Sequence, residues 1–280
     1  MKNKKPSGTR SEMKEIIKKI FKDIFPPGQW AELRKINRKI LNYGFNYKCP
    51  VCGSRLRKFL PFGYNFPVLT QENVIGAGCR SSALCPVCGS YDRERLLYLY
   101  LLLKTDVLKK QTKLLHVAPE ISLSSILKKK NNIDYLTADL NSKSVMIQLD
   151  TTDIPYPDCT FDAVICNHVL EHIIDDRKAM RELYRILKPG GWGILQVPFS
   201  LSLEKTYEDY SISTPFEREQ AFGQYDHVRI YAEDYFERLE EAGFQVNKFN
   251  WWEHNRDFGG PKNRFGLIEN ETVFTVIRTE

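Results

Sequence analysis

Apolar and polar positions alternate between two periods along the second half of the chain. Residues 161–166 form a short, mostly apolar run, the pattern of a parallel strand covered on both faces. Met180, Leu183, Tyr184 and Leu187 then recur at three- and four-residue spacing. That period predicts a helix over 175–187, with Lys188 near its end and Pro189-Gly190-Gly191 as its stop. A second apolar run over 192–197 returns to the sheet, so the unit is a strand-helix-strand crossover of right-handed sense. Polar Asn167, His168, Glu171 and His172 sit just past the first of these strands, where open α/β sheets keep their ligand crevice.

The same alternation extends in both directions. Strands are predicted at 114–118, 134–138 and 145–149, with a helix at 123–130 between the first two. After a long insertion come a helix at 232–242 and strands at 244–249 and 272–278. Seven strands alternating with helices predict an α/β fold with a doubly wound, mostly parallel sheet. No helix separates the last two strands, which predicts an antiparallel hairpin at one end.

The N-terminal third follows a different rule. Met13, Ile16, Ile17, Ile20, Phe21, Ile24 and Phe25 fall on one face of a helix that Ser11 could cap and Pro26-Pro27-Gly28 ends. A second short helix is expected at 30–41 and a third at 91–104. Residues 1–48 hold 13 Lys/Arg against 4 Asp/Glu, a net of +9, although the whole chain carries only +6. The basic excess therefore belongs to this arm, and it suits RNA, an anionic membrane face met through residues 11–25, or a solvated helix face. No run is long and apolar enough for a transmembrane helix or a signal peptide, and the expected location is cytoplasmic or membrane-peripheral.

Cys49-Pro50-Val51-Cys52-Gly53-Ser54 recurs as Cys85-Pro86-Val87-Cys88-Gly89-Ser90, with 32 residues between the inner cysteines. Each pair places two thiolates on one tight turn, and two turns make a closed tetrahedral site of the structural-zinc type. Cys49, Cys52, Cys85 and Cys88 are thus the candidate Zn2+ ligands, with Cys79 close by in sequence. A segment this small depends on metal for its stability. Between the pairs, the aromatic stretch 59–66 serves either as the module's core or as a stacking surface. The chain divides into a basic helical arm (1–48), a four-cysteine module (49–90) and an α/β domain (91–280), the last with a linking helix (91–112) and an insertion (199–230) covering the substrate.

DTTDIPYPDCTFDAVICNHVLEHI, the helix ending LYRILKPGGWGILQVP and the later LEEAGF together resemble class I S-adenosylmethionine-dependent methyltransferases of the small-molecule, type 11 kind. The resemblance covers about residues 113 to 280 and implies a Rossmann-like methyltransferase fold, with a reversed seventh strand in the terminal hairpin. It implies S-adenosyl-L-methionine as cofactor. Asp139, at the end of the second strand with Leu140 beside it, is placed for the ribose hydroxyls. Asp150 and Thr151 are implied at the adenine, and Asn167 and His168 near the methyl group. The family's first strand leads into a glycine-rich loop. Here it reads Leu115-His116-Val117-Ala118-Pro119-Glu120, without glycine, so His116, Ala118, Pro119 and Glu120 would meet the methionine end instead.

Methyl transfer to a hydroxyl needs an aligned nucleophile and a base for its proton. His168, His227 and Asp226 are the candidate catalytic groups, with His172 as a further base and Arg229 and Tyr231 as acceptor-orienting residues. A sugar or glycolipid hydroxyl is the first expectation for the acceptor, a small molecule or glycan. The alternatives are an rRNA base held with help from the zinc module, and a non-catalytic zinc-stabilised scaffold.

Overall fold

The computed structural model describes residues 27–279. The amphipathic helix expected over 11–25, and the membrane contact proposed for it, lie outside the described residues. The first described element is α1 (Pro27–Leu41), which starts on a proline, a residue suited to a helix's first turn because its missing N–H would be unpaired there anyway. Two small ladders follow. Strands β1 (Tyr47–Lys48) and β2 (Arg55–Leu56) pair around the first cysteine turn. Next come β3 (Leu60–Phe62), the short helix α2 (Pro67–Gln71), β4 (Val74–Ile75) and β5 (Arg80–Leu84), with β3 antiparallel to β5.

Helix α3 (Asp92–Lys104) leaves the second cysteine turn directly and leads into the sheet domain. There β6 (Thr112–Val117), α4 (Ile121–Leu127), β7 (Ile133–Asp139), β8 (Ile147–Gln148) and β9 (Phe161–Asn167) are followed by α5 (Asp176–Ile186) and β10 (Leu187–Gln196). Asp175 caps α5, its Oδ1 accepting from Lys178 N at 2.9 Å. The insertion contributes β11 (Phe199–Ser200), β12 (Tyr207–Glu208), α6 (Pro215–Phe222) and β13 (Arg229–Ile230), and α7 (Asp234–Glu241), β14 (Phe244–Asn250) and β15 (Thr272–Arg278) complete the chain. None of the described helices is long and apolar enough to cross a membrane.

Seven strands form one sheet in the order β14-β15-β10-β9-β6-β7-β8, and β15 is antiparallel to both neighbours while the other pairs are parallel. The terminal pair is the expected antiparallel one, but residues 251–271 separate its strands, and β15 is inserted between β14 and β10. Both faces of the sheet are covered. Val164, Cys166, Leu195 and Val276 meet Met180, Leu183 and Leu239 from α5 and α7 in one layer. Ala163, Ile165, Ile194 and Val273 meet Leu97, Leu101 and Leu127 from α3 and α4 in the other. Each buried leucine or isoleucine contributes about 1.5–3 kcal/mol through burial. Two-sided burial is why these strands read as mostly apolar runs.

The insertion does not stand off as a separate flap. Strand β11 pairs antiparallel with β4, Phe199 opposite Ile75, and Ser200 Oγ donates to Glu72 O at 2.6 Å. Leu69, Val74, Phe222 and Ile230 share a small core of their own. Sequence reasoning offered Arg229 and Tyr231 as acceptor-orienting groups; the structure uses them otherwise. Arg229 is buried, donating to Leu170 O at 3.0 Å, to Ile173 O, to Ile174 O at 2.8 Å and to Glu208 Oε2 at 2.8 Å. Tyr231 donates to Asp176 Oδ2 at 2.7 Å. Both groups lock the insertion to the turn after β9.

Arg95 joins the cysteine module to the sheet domain. Its side chain is fully buried, and its guanidinium donates to Ser82 O (2.7 Å) and Ala83 O (3.0 Å) on β5, and to Ser90 O (3.2 Å) in the second cysteine turn. It also donates to Phe265 O (2.8 Å) and Gly266 O (2.6 Å) in the loop between β14 and β15, and stacks 3.8 Å from the Phe59 ring centroid. Arg95→Met keeps much of the volume but leaves these carbonyls unmatched. We expect it to lower unfolding free energy by about 3 kcal/mol or more, measured by urea denaturation, while Arg93→Met, at a half-buried neighbour, leaves the midpoint nearly unchanged.

Candidate functional site

Strands β8, β7, β6 and β9 end side by side, and the sequence-selected cofactor residues lie at these ends. Asp139 closes β7. Its Oδ1 accepts from Asn141 N (2.8 Å) and Ser142 N (2.7 Å), and among the described residues nothing bonds Oδ2. Leu140 follows it, exposed. Asp150, beyond β8, caps its own turn through Oδ1 to Thr152 N and Oγ1, both at 2.8 Å, and Thr151 is buried behind it.

The loop after β6 has no glycine, yet Ala118 stands at φ 46°, in the left-handed region that glycine enters freely and alanine enters at a cost. Pro119 and Glu120 turn the chain into α4. Beneath this turn His116 is fully buried, one ring nitrogen 2.8 Å from Tyr135 Oη and the other 2.9 Å from Glu120 Oε2. Burial opposes ionisation of Glu120, but its contact with His116 prevails and holds the carboxyl down at about 2. Asn167 Nδ2 donates to Glu120 Oε1 at 3.1 Å, while Asn167 Oδ1 is buried without a partner. A carboxylate and an orphaned carbonyl oxygen side by side fit a ligand ammonium. The methionine end of S-adenosylmethionine presents such a group, and the free Asp139 Oδ2 fits its ribose.

Past β9 the chain turns sharply at His168, φ 53°, the second strained residue at this end of the sheet. A 3-10 turn, Leu170–His172, follows and presents His168, Glu171 and His172 to one cavity of about 300 Å³. The insertion delivers His227 to the same cavity, its ring 4.7 Å from that of His172, and Asp226 Oδ2 lies 3.3 Å from His172 Nδ1. Of the three predicted catalytic positions, His168 and His227 line this cavity with Glu171, while Asp226 lies behind His172; the Glu171 backbone carbonyl ties the insertion in place by accepting from Val228 N at 2.9 Å. His168 Nδ1 lies 3.3 Å from Glu171 Oε1, and His168 Nε2 is buried without a partner. Burial and then the nearby Arg93 charge push the His168 pKa down, and burial takes His227 down to about 4 despite the Glu171 charge. Both imidazoles are neutral at neutral pH.

The opposite wall comes from Phe62, Tyr64 and Arg80 of the cysteine module and from Tyr91 and Arg93 at the start of α3. Sequence reasoning gave no site role to Arg80 or Arg93, although Arg93 follows the second cysteine turn directly. Arg80 is taken by buried Asp92 at 2.7 Å. Arg93 has no carboxylate partner among the described residues, and its Nε is buried and unpaired. Gly76, at φ 81°, closes the cavity floor, where a Cβ would lie 3.3 Å from His168 Cε1.

The two cysteine turns are built alike. Gly53 N and Gly89 N donate to Cys49 O and Cys85 O, and Cys49 N and Cys85 N donate to Ser54 O and Ser90 O, all at 2.9 Å. The glycines stand at φ 70° and 78°, which lets the amides fold over the sulfurs. Sγ separations are 3.7 Å between Cys49 and Cys88 and 3.9 Å between Cys52 and Cys85. Tetrahedral Zn–S bonds of about 2.3 Å require sulfurs about 3.8 Å apart, so the donor set fits that ion.

Residues 111–195 match the family model described as a methyltransferase domain. This part of the sheet domain is a methyltransferase domain. The chain is 48% identical over 44 residues to the chloroplastic 2-phytyl-1,4-beta-naphthoquinone methyltransferase of Arabidopsis thaliana, covering 16% of this chain and 17% of that protein. It is 39% identical over 69 residues to the ubiquinone/menaquinone biosynthesis C-methyltransferase UbiE of Enterobacter sp. (strain 638), covering 23% and 27% respectively. The matches thus span less than a third of either relative. Among solved structures, an S-adenosylmethionine-dependent methyltransferase from Mesorhizobium loti superposes with a TM-score of 0.47 at 14% identity, over 66% of this chain and 98% of that one.

Glu271, beside the same cavity, has a buried Oε2 without a partner; burial, then the Asp92 charge, raises its carboxyl to about 8. An unfolded glutamate titrates near 4.3, so the unfolded state loses this proton first. The stabilisation is complete below about pH 4 and is lost as pH rises through about 8. Glu271→Gln should remove that loss, flattening the decline in thermal midpoint between about pH 5 and pH 9 that the native chain shows by scanning calorimetry.

Proposed function

We propose that this methyltransferase domain acts on a compact anionic acceptor, the hydroxyl of a sugar or glycolipid headgroup that also bears a negative group. The supporting observation is the unpaired Arg93 guanidinium in the cavity that holds His168. A half-buried cation with no carboxylate bonded to it favours an anionic guest. The flanking Phe62, Tyr64 and Tyr91 suit a ring stacked against them.

S-adenosylmethionine brings an electrophilic methyl group on a sulfonium that is already a good leaving group. The chain's own residues do the rest. Asp139 holds the ribose, and Glu120 with Asn167 holds the ammonium. His168 is the base, its Nδ1 3.3 Å from Glu171 Oε1 and its free Nε2 placed to take the acceptor's proton. Arg93 fixes the acceptor's charge. Zn2+ held by Cys49, Cys52, Cys85 and Cys88 keeps the wall that carries Tyr91 and Arg93 folded.

A second reading is methylation of a quinone-type ring carbon, which the names of the matched relatives favour. Most of the cavity wall lies outside residues 111–195, so the family match bears on the cofactor half more than on the acceptor. An rRNA base remains the nucleic-acid alternative, and a scaffold without cofactor the non-enzymatic one.

Titration calorimetry should show S-adenosylmethionine binding, weakened about 10- to 100-fold in Asp139→Asn through loss of one or two charge-assisted bonds. Absence of binding would leave the scaffold reading. With radiolabelled methyl donor and acceptor panels of anionic sugars, hydroquinones and rRNA, label should enter the sugars. Arg93→Met should raise the acceptor KM about tenfold or more, and His168→Asn should lower kcat about 100-fold or more. Label confined to hydroquinone or rRNA would transfer the assignment to that class. Cys85→Ser should lose the thiolate-bound zinc and with it the cooperative thermal transition of the module.

A further inference from the structure

We propose that Glu171, His172 and His227 form a second metal site, distinct from the four cysteines, for a divalent first-row transition metal that faces the acceptor cavity. One ligand atom from each of the three residues lies within 4.8 Å of the other two. Bonds of about 2.0–2.2 Å in a tetrahedral site require separations of roughly 3.4 Å, within reach of small side-chain rotations.

Glu171 is the decisive residue. Its side chain is 1% exposed, yet neither carboxylate oxygen has a hydrogen-bond partner among the described residues. Burying a carboxylate costs several kcal/mol unless it is paired or coordinates a cation. The nearest polar contact, His168 Nδ1 at 3.3 Å from Oε1, lacks hydrogen-bond alignment, and it leaves Oε2 unengaged. His172 is oriented from behind, because Asp226 Oδ2 and Asp226 O both lie 3.3 Å from its Nδ1 and leave Nε2 for a metal. A carboxylate behind a ligating histidine is a common supporting arrangement in metal sites. His227 arrives from a different part of the chain, so the three ligands bind the insertion to the turn after β9.

Two imidazoles and one carboxylate leave coordination positions open, unlike the closed set of four thiolates. These positions face the cavity whose far wall carries Arg93. An acceptor oxygen bound there would be polarised and its proton made more acidic beside His168. The binding claim itself does not depend on methyl transfer and is read without it.

The test uses the full chain carrying one tightly held Zn2+ per molecule, the thiolate-bound ion, titrated calorimetrically with further Zn2+. A second equivalent should bind, and Glu171→Gln and His227→Asn should each weaken it about 100-fold or more while retaining the first equivalent and a cooperative thermal transition. Co2+ added in place of the second equivalent should show no sulfur-to-cobalt charge-transfer absorption. Failure of the native chain to take up a second equivalent, its retention in both variants, or a thiolate signature for the added Co2+ would each overturn the site. Loss of acceptor methylation with the second equivalent intact would count against the acceptor assignment alone.

Discussion

The architecture depends on one buried cation. Arg95 is enclosed by backbone carbonyls from β5, the second cysteine turn and the loop between β14 and β15. A buried guanidinium is tolerable only when its donors are matched, and here matching them requires three separate segments to be in place at once. The module is therefore held at a fixed position on the sheet domain. Arg93 and Tyr91, within four residues on the same helix start, inherit that fixed position and become a wall of the cavity. A cation outside the cavity thus sets the geometry of the residues that line it.

The carboxyl ends of the strands show the opposite economy: groups are left strained or unmatched. Ala118 and His168 both hold left-handed backbone conformations, at the ends of adjacent strands β6 and β9. Asn167 Oδ1, His168 Nε2 and both oxygens of Glu171 are buried without partners. Interiors pair nearly all such groups, and unpaired ones gather where a ligand completes them. Their concentration at one end of the sheet marks the site, whereas the buried charges of Arg229, Arg238, Asp176 and Glu208 are joined in one ion-pair network.

How much of this was legible in the sequence follows from how locally each feature is determined. Strands β9 and β15 and helix α5 were readable because two-sided burial or a 3.6-residue stripe writes itself into consecutive residues. The cysteine turns were readable because the repeat is covalently local. Pairing of β4 with β11 was not, since two-residue strands acquire their conformation from each other across the fold. Arg229 and Tyr231 looked like ligand-facing groups because charged residues in an insertion usually face outward; their carbonyl partners at 170–174 are distant in sequence. Helix α6 did carry a readable signal that went unused. Thr214 and Glu217 form a reciprocal capping box, Pro215 occupies the first turn and Gly223 ends the helix at φ 78°.

The glycine-free loop is where sequence and geometry combine most usefully. Glycine at this turn ordinarily serves two purposes, permitting a left-handed backbone and leaving room for the ligand. Ala118 shows that the first requirement persists without the residue that satisfies it cheaply, since φ stays at 46°. Such strain survives only where neighbours impose it. Ala118 N donates to Ala138 O at 2.8 Å, and His116 beneath the turn fixes Glu120. The chain has exchanged a permissive loop for a braced one, and the brace brings a carboxylate to where the methionine ammonium would bind. Its ionisation rests on His116, so the buried histidine would bear on a ligand held there only through Glu120, without facing the crevice itself.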